Sequence, residues 1–127
     1  MVAPVDTSYP GTISLVVDAT NVSARIFQVH ETIPIKGHEL TLLYPEWLPG
    51  THSPSNPIAE FAGLVVTANG KTVPWQRDRV NMYAFHIEAP KDATWLEVNF
   101  QFLAPQDPKR GRISSKFADI TWNSVLL

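Results

Sequence analysis

Two His-Glu pairs are the residues of this sequence whose types suit metal chemistry. They are His30-Glu31 and His38-Glu39. In the zinc peptidase motif His-Glu-x-x-His, a helix brings two histidines onto one face. Here the residues after Glu31 include Pro34 and Gly37, which oppose a helix. Two histidines could still meet across a hairpin, but no third ligand is indicated. We therefore interpret both pairs as solvent-facing strand residues and predict no metal site.

Nucleophilic and acid–base catalysis find equally little support. The chain has no cysteine, which excludes disulfides and thiolate chemistry. It contains neither a Gly-x-Ser-x-Gly elbow nor a glycine-rich phosphate loop. His52 and His86 could serve a small hydrolase, and Glu31 with Glu97 could form a carboxylate pair, but nothing in the sequence sets their separation. We predict no catalytic residue and no cofactor for this chain.

Composition limits the partners. The 127 residues carry a net charge of −2, so no basic surface favours nucleic acid. We interpret the one basic run, residues 109–116, as a solvated loop in preference to a phosphate site. No apolar run approaches the ~20 residues of a membrane helix. The sequence does not determine the cellular compartment. Residues 1–8 are not an intact signal peptide, but they are compatible with the remainder of one. This slightly favours the bacterial periplasm over the cytoplasm.

A period of two dominates the chain and predicts strands that bury one face. In residues 95–103, for example, the apolar side chains at 96, 98, 100 and 102 alternate with polar ones. Further strands are predicted over residues 13–17, 25–35, 38–44, 64–68, 71–75, 82–88 and 119–127. We therefore predict an all-β fold, an antiparallel β-sandwich of about eight strands. One domain would span residues 12–127, after a disordered or extended segment at 1–11.

Several turns can be predicted locally. Asn69-Gly70 supplies the two positive φ angles of a type I′ turn and predicts a hairpin, and Pro74 places the following strand at an edge or a bulge. A short helical turn is predicted near 57–62, with Asn56 as N-cap. The Lys36-Gly37 link suggests a second hairpin. In the last strand, Ile120, Trp122 and Ser124 would share a side, and its strand-like end suggests a chain cut from a longer protein.

The most distinctive segment is the loop over residues 44–57, in which four prolines and one glycine stiffen the backbone. A long loop of this kind either closes the end of a sandwich or presents a surface to a partner. The two interpretations are compatible, with Trp47 covering the core edge in the first. We predict a domain-interface loop here, formed by Trp47, Pro49, Gly50, Thr51, His52 and Phe61.

The same segment carries a resemblance to a known family. The pattern Pro45-x-Trp47-x-Pro49-Gly50-Thr51, followed by Ile58-x-x-Phe61-Ala62-x-x-Val65, resembles the N-terminal domain of the glycyl-aminopeptidase family of zinc metallopeptidases. Asn69-Gly70-Lys71 and Val73-x-Trp75 continue the pattern, and the similarity extends from about Ile13 to Leu127. One departure is Thr51-His52, because the family commonly has Ser-Tyr after the Pro-Gly pair.

The resemblance implies a role within a larger enzyme. The parent protein would be a zinc-dependent aminopeptidase whose thermolysin-like catalytic domain follows this one, and zinc would be bound there. This chain would be a non-catalytic β-sandwich that packs against that catalytic domain, its partner, and helps to wall the substrate cleft. An alternative is a free-standing carbohydrate- or protein-binding module that uses Trp75, Trp95 or Tyr83 as a stacking surface.

Overall fold

The computed structural model describes residues 8–106, 113–114 and 116–127. Most of the strands are segments whose alternating apolar residues bury one face. The strands are β1 Ser14–Asp18, β2 Ile26–Pro34, β3 Glu39–Leu43, β4 Phe61–Ala68, β5 Lys71–Val73, β6 Trp75–Arg77, β7 Ala84–Glu88, β8 Trp95–Leu103, β9 Ile113–Ser114 and β10 Phe117–Ala118. Two short 3-10 helices, Ile58–Glu60 and Trp122–Ser124, complete the described secondary structure. The all-β prediction is confirmed.

The strands form two main antiparallel sheets. The large sheet has the order β1-β2-β8-β4-β5, and the small sheet has the order β3-β7-β6. Within the described residues, β9 and β10 pair with each other and with no other strand. The long strands β2 and β8 lie at the centre of the large sheet and pair over nine residues each, from Ile26 opposite Leu103 to Pro34 opposite Trp95.

Aromatic side chains join the inner faces of the two sheets. Phe61 on β4 and Phe85 on β7 have ring centroids 5.2 Å apart, and Phe61 also lies 4.6 Å from Phe100 on β8. Trp75 on β6 meets Phe85 edge-on at 5.4 Å. Burying each such ring contributes about 1.5–3 kcal/mol. The two sheets therefore form a sandwich with one apolar core.

The predicted Asn69-Gly70 hairpin is confirmed. Asn69 has φ 51° and Gly70 has φ 73°, and the turn joins the paired strands β4 and β5. Pro74 then stands between β5 in the large sheet and β6 in the small sheet. Because proline has no N–H to donate to a strand ladder, the chain leaves one sheet there and enters the other.

A β-bulge bends β4 where it passes the core. The register against β8 shifts between Ala62 and Val65, and Gly63 within the bulge has φ 65°. Glycine adopts this left-handed conformation without steric cost. The indole Nε1 of Trp75 donates a hydrogen bond of 3.1 Å to the Leu64 carbonyl. The bulge in one sheet is thus fixed by a side chain of the other.

The predicted hairpin at Lys36-Gly37 is wrong. Strand β2 pairs with β1 and β8, whereas β3 pairs with β7 in the small sheet. Both edges of β2 already have partners, so the chain crosses at Gly37, which has φ 103°, to the opposite layer. A short polar link between two alternating segments is compatible with either connection, which is why the sequence did not distinguish them.

The predicted final strand over 119–127 is also wrong. Its residues form an irregular segment with the 3-10 helix Trp122–Ser124, in which Ser124 is buried and Trp122 is exposed. The helical turn predicted near 57–62 is present but shorter, as Ile58–Glu60, and Pro57 precedes it in the capping position. The Asn56 side chain instead hydrogen-bonds to the segment at 123–124.

Some predictions fall on parts of the chain that are not described. The N-terminal segment 1–11 lies mostly outside the described residues, which begin at Ser8. Of the basic run, residues 109–112 also lie outside them. No described helix is long and apolar enough to cross a membrane.

Candidate functional site

The proline-stiffened loop follows β3 and is closed by its own hydrogen bonds. Thr51 donates to the Leu48 carbonyl through both its backbone N–H, at 3.1 Å, and its hydroxyl, at 2.7 Å. The Ser55 N–H donates to the Glu46 carbonyl at 3.2 Å. Gly50 has φ 85°, a conformation that glycine adopts without strain. The loop is therefore a defined turn that presents one face to solvent.

The predicted interface residues do not all lie on that face. Trp47 has 58% of its surface exposed, and residues 49–52 are exposed beside it. Phe61, in contrast, is buried in the core and contacts the Tyr44 ring at a centroid distance of 5.0 Å. As a docking residue Phe61 is a wrong choice, because alternation on β4 turns its side chain inward. It supports the start of the loop from beneath.

Three hydrogen bonds fasten this loop to the segment over residues 119–127, here called the C-terminal segment. The buried Tyr44 hydroxyl donates to the Ser124 carbonyl at 3.0 Å. Asn56 Nδ2 donates to the Asn123 carbonyl at 2.8 Å, and Ser124 Oγ donates to Asn56 Oδ1 at 3.0 Å. Asn56 and Ser124 are both buried, so their polar groups satisfy each other away from water.

A cavity of ≈ 160 Å³ lies between the loop and the C-terminal segment. Leu48 and Thr121 are among the residues that line it. Trp47 and Trp122, their neighbours in sequence, are large apolar residues with 58% and 67% of their surface exposed. We call Trp47, Leu48, Thr121 and Trp122 the tryptophan surface. Large exposed apolar groups of this kind are typical of protein interaction sites.

Glu31 was predicted to face solvent, but its side chain is buried. It is 1% exposed on the inner face of β2, between the buried side chains of Val29 and Ile33. Its Oε1 accepts a hydrogen bond of 2.8 Å from the Leu127 N–H, and its Oε2 has no partner among the described residues. Burial raises the pKa of Glu31 from 4.5 to about 7, although the Leu127 hydrogen bond opposes this. The alternation itself was the signal, since residues 27, 29, 31 and 33 share a face.

Glu31 and Glu97 lie on opposite faces of the large sheet. Glu97 is exposed on the outer face of β8, where its Oε2 accepts a hydrogen bond of 3.1 Å from Thr67 Oγ1. Two carboxylates on opposite faces of one sheet cannot act on the same bond. The carboxylate pair considered from the sequence is therefore not formed.

A second polar arrangement lies on the outer face of the small sheet and was not predicted. Thr41 Oγ1 lies 3.0 Å from His86 Nδ1, and His86 Nε2 lies 2.8 Å from Asp78 Oδ2. The backbone N–H groups of Val80 and Asn81 each donate to Asp78 Oδ1 at 2.8 Å. The hydrogen bonds from Asn81, the His86 side chain and Val80 hold the pKa of Asp78 well below its usual range.

This hydroxyl–imidazole–carboxylate order matches that of a hydrolase triad, but its surroundings do not suit one. Thr41 and His86 line an open depression of ≈ 500 Å³ that is also lined by Glu39 and Glu88, which stand directly opposite each other on β3 and β7. An acyl-transfer site needs donors aimed at the developing oxyanion, and two carboxylates would repel it. We interpret the arrangement as a hydrogen-bonded tie between β3, β7 and the connection before β7.

The histidines considered as metal ligands do not meet. His30 lies on the outer face of β2, where Nδ1 is 2.8 Å from Asn99 Oδ1. His38 lies in the crossing to the other sheet, 3.9 Å from the Glu39 carboxylate. Across the described parts of the chain, no group of three or more His, Cys, Asp or Glu side chains could hold a metal ion.

The three aromatic residues of the stacking alternative are also separated. Trp75 is half-buried against Phe85, and Tyr83 is half-buried with its ring 6.4 Å from Tyr44. Only Trp95 among the three is largely exposed, at 50%. Of these three rings, Trp95 is therefore the one most available for stacking on a ligand.

The fold defines the chain as an antiparallel β-sandwich domain, and comparison with known proteins gives its family. The sequence-family model described as the Peptidase M61 N-terminal domain matches residues 14–127, and the chain belongs to this family. The resemblance read from the Trp47 loop is thereby confirmed. No curated protein matches the sequence significantly.

A solved structure shares the fold. It is the crystal structure of an aminopeptidase N family protein from Idiomarina loihiensis, similar with a TM-score of 0.64 and 21% sequence identity. The match covers 76% of this chain and 16% of that protein, so this chain spans about a sixth of its length. At this identity the likeness shows the fold.

Proposed function

We propose that this domain is the non-catalytic N-terminal part of a zinc-dependent aminopeptidase, and that it packs against the catalytic domain of the same polypeptide to shape its substrate cleft. The family match over residues 14–127 is the observation that carries the proposal, because that family is defined as the N-terminal domain of peptidases. The 16% coverage of the Idiomarina loihiensis protein agrees with a domain that forms a minor part of a longer chain.

The tryptophan surface is the site that we assign to this docking. Trp47 and Trp122 are largely exposed, and their sequence neighbours Leu48 and Thr121 line a small cavity that an apolar side chain of a partner can fill. The hydrogen bonds of Tyr44, Asn56 and Ser124 fix both supporting segments before binding. Little conformational entropy is then lost on docking. Zinc would be held by residues of the catalytic domain, not by this chain.

The first test is the reading frame of the parent gene. We expect it to continue past Leu127 and to encode a His-Glu-x-x-His motif on a predicted helix within roughly the next 250 residues, the span of one to two domains. A stop codon directly after Leu127 would contradict the proposal.

The second test measures docking. The separately produced catalytic domain is titrated with this chain by calorimetry, and Trp47→Ala or Trp122→Ala should weaken binding at least about tenfold. Trp95→Ala is the matched control, because Trp95 has similar exposure but starts β8, about 23 Å along the strand from Phe102 at the cavity. Equal losses for all three variants, or none, would rule out the tryptophan surface.

The third test concerns catalysis. The purified chain should hydrolyse no aminoacyl peptide and take up no stoichiometric zinc, while the parent enzyme should do both. Turnover by the isolated chain would refute the non-catalytic assignment.

A further inference from the structure

Glu31 is an ionisable group in the apolar core that forms no ion pair with any residue in the described parts of the chain. It lies in register with Leu15 on β1 and Val98 on β8, and the inner-face residues around it on these strands are apolar. Its single described hydrogen bond comes from the Leu127 N–H, which closes the C-terminal segment onto β2. Its second oxygen is buried and unpaired among the described residues.

The other titratable groups on the surrounding elements do not face Glu31. Asp18 at the end of β1 is exposed and bonded to Thr20, and Asp119 of the C-terminal segment is exposed. Glu97 of β8 and His30 of β2 lie on the outer face of the sheet. Tyr44, in the opposite layer, donates its hydroxyl to the Ser124 carbonyl, and burial raises its pKa, so it stays neutral.

We propose that Glu31 is a proton-controlled latch for the C-terminal segment: the neutral carboxyl holds residues 119–127 against the large sheet, and transfer of its proton to solvent releases them. The neutral acid still offers its carbonyl oxygen to the Leu127 N–H. The carboxylate has four acceptor sites, and one donor leaves most of them without the hydrogen bonds they have in water. Opening of the segment would let water reach both oxygens.

The contacts that resist opening are few and defined. They are the buried side chain of Val125, the partly buried side chains of Ile120 and Leu127 against the core, the Tyr44–Ser124 hydrogen bond and the paired groups of Asn56, Asn123 and Ser124. None of these groups titrates near neutral pH, so the balance between closed and open forms depends on Glu31. The segment has no strand partner to hold it, because its residues belong to neither sheet.

The expected size of the effect follows from the shift in pKa. With a pKa of about 7 when closed and 4.5 when exposed, the population of the open form rises roughly 70-fold between pH 5 and pH 8. The increase saturates above pH 7, because the carboxyl is then ionised in both forms.

Hydrogen exchange on the 127-residue chain alone tests the latch. After correction for the intrinsic exchange rate, protection of the amides at residues 124–127 should fall roughly 70-fold from pH 5 to pH 8. In Glu31→Gln, which keeps an acceptor for Leu127 but cannot ionise, protection should be independent of pH. Glu97→Gln is the matched control on the outer face and should behave as the wild type. An unchanged pH dependence in Glu31→Gln would overturn the proposal.

A second measurement does not depend on any variant. The side-chain carboxyl carbon of Glu31 should titrate near pH 7 by NMR, together with the Leu127 amide signal. Titration near 4.5, or no response at Leu127, would also overturn the latch. The tests need no partner, so their outcome is separate from docking. Only one consequence rests on the proposed function: release would also remove Trp122 from the tryptophan surface.

Discussion

A double-mutant cycle at Asn56 and Ser124 measures how firmly the tryptophan surface is held. Ser124→Ala removes the 3.0 Å hydrogen bond to Asn56 Oδ1 and leaves that buried oxygen unpaired. A net hydrogen bond contributes about 1 kcal/mol, and an unsatisfied buried acceptor adds to the loss. We therefore expect Ser124→Ala to lower the free energy of unfolding by about 1.5 kcal/mol.

Asn56→Ala should cost more. It removes the same hydrogen bond and also the 2.8 Å donation to the Asn123 carbonyl, which leaves that carbonyl unpaired. Two lost hydrogen bonds and their unpaired groups give an expected loss of about 3 kcal/mol. The double variant should lose about 3.5 kcal/mol, because the shared hydrogen bond can be lost only once. The coupling energy is then about 1 kcal/mol.

Urea unfolding followed by tryptophan fluorescence provides the four free energies, provided that each variant unfolds in two states. Asn21 and Ser23 supply a matched control, because Ser23 Oγ donates to Asn21 Oδ1 at 3.3 Å in an exposed loop. Water replaces that bond when it is lost, so its coupling should be below about 0.3 kcal/mol. A coupling at Asn56 and Ser124 no larger than at this control would refute the claim that their buried hydrogen bond holds the loop against the C-terminal segment.

Three further predictions follow from individual residues. A raised pKa means that the folded state binds the proton more tightly, so the stability that neutral Glu31 provides is complete below pH 4.5 and is lost as pH rises through about 7. The free energy of unfolding of Glu31→Gln, measured in urea, should therefore exceed that of the wild type by up to about 3 kcal/mol above pH 7 and match it near pH 4.5. Parallel pH profiles for the two proteins would contradict this. Gly63→Ala should lose about 1 kcal/mol through its φ of 65° alone, because the added Cβ would meet only ordinary contacts near 3.8 Å; Gly63→Asn should lose less, and equal losses would argue against backbone strain. Asp78→Ala should destabilise the protein at neutral pH by removing the acceptor of the Val80 and Asn81 N–H groups; because the pKa of Asp78 is lowered, its contribution should vanish only in strong acid, and a loss that disappears near pH 4 would be inconsistent.

The predictable parts of this protein were those decided by neighbouring residues. The Asn69-Gly70 turn needs only two residues that accept positive φ, and the alternation in residues 95–103 needs only one face to be apolar. Pro74 removes a donor whatever surrounds it, so a strand interruption there was predictable. The loop at 45–57 was recognised for a related reason, since its prolines constrain the backbone locally.

The wrong predictions concern contacts between residues far apart in sequence. The link at Gly37 leads to the other sheet because β1 and β8 occupy both edges of β2, and the register of one segment does not show its neighbours. Residues 119–127 alternate like a strand, yet they pack through Tyr44, Asn56 and Glu31 in place of a ladder. Strand propensity is a weak preference that such tertiary contacts override.

An all-β sandwich, its tightest turn and the Trp47 loop could be predicted from the residues alone, because each depends on local backbone preference or on alternation along one strand. That Phe61 lies beneath that loop, that residues 123–124 are hydrogen-bonded to Asn56 and that Glu31 is buried against Leu127 became clear only once the chain was folded. These depend on which surfaces meet when the two sheets close. Burial changes the pKa of a carboxyl through the removal of water, and no pattern of neighbouring residues records where water is excluded.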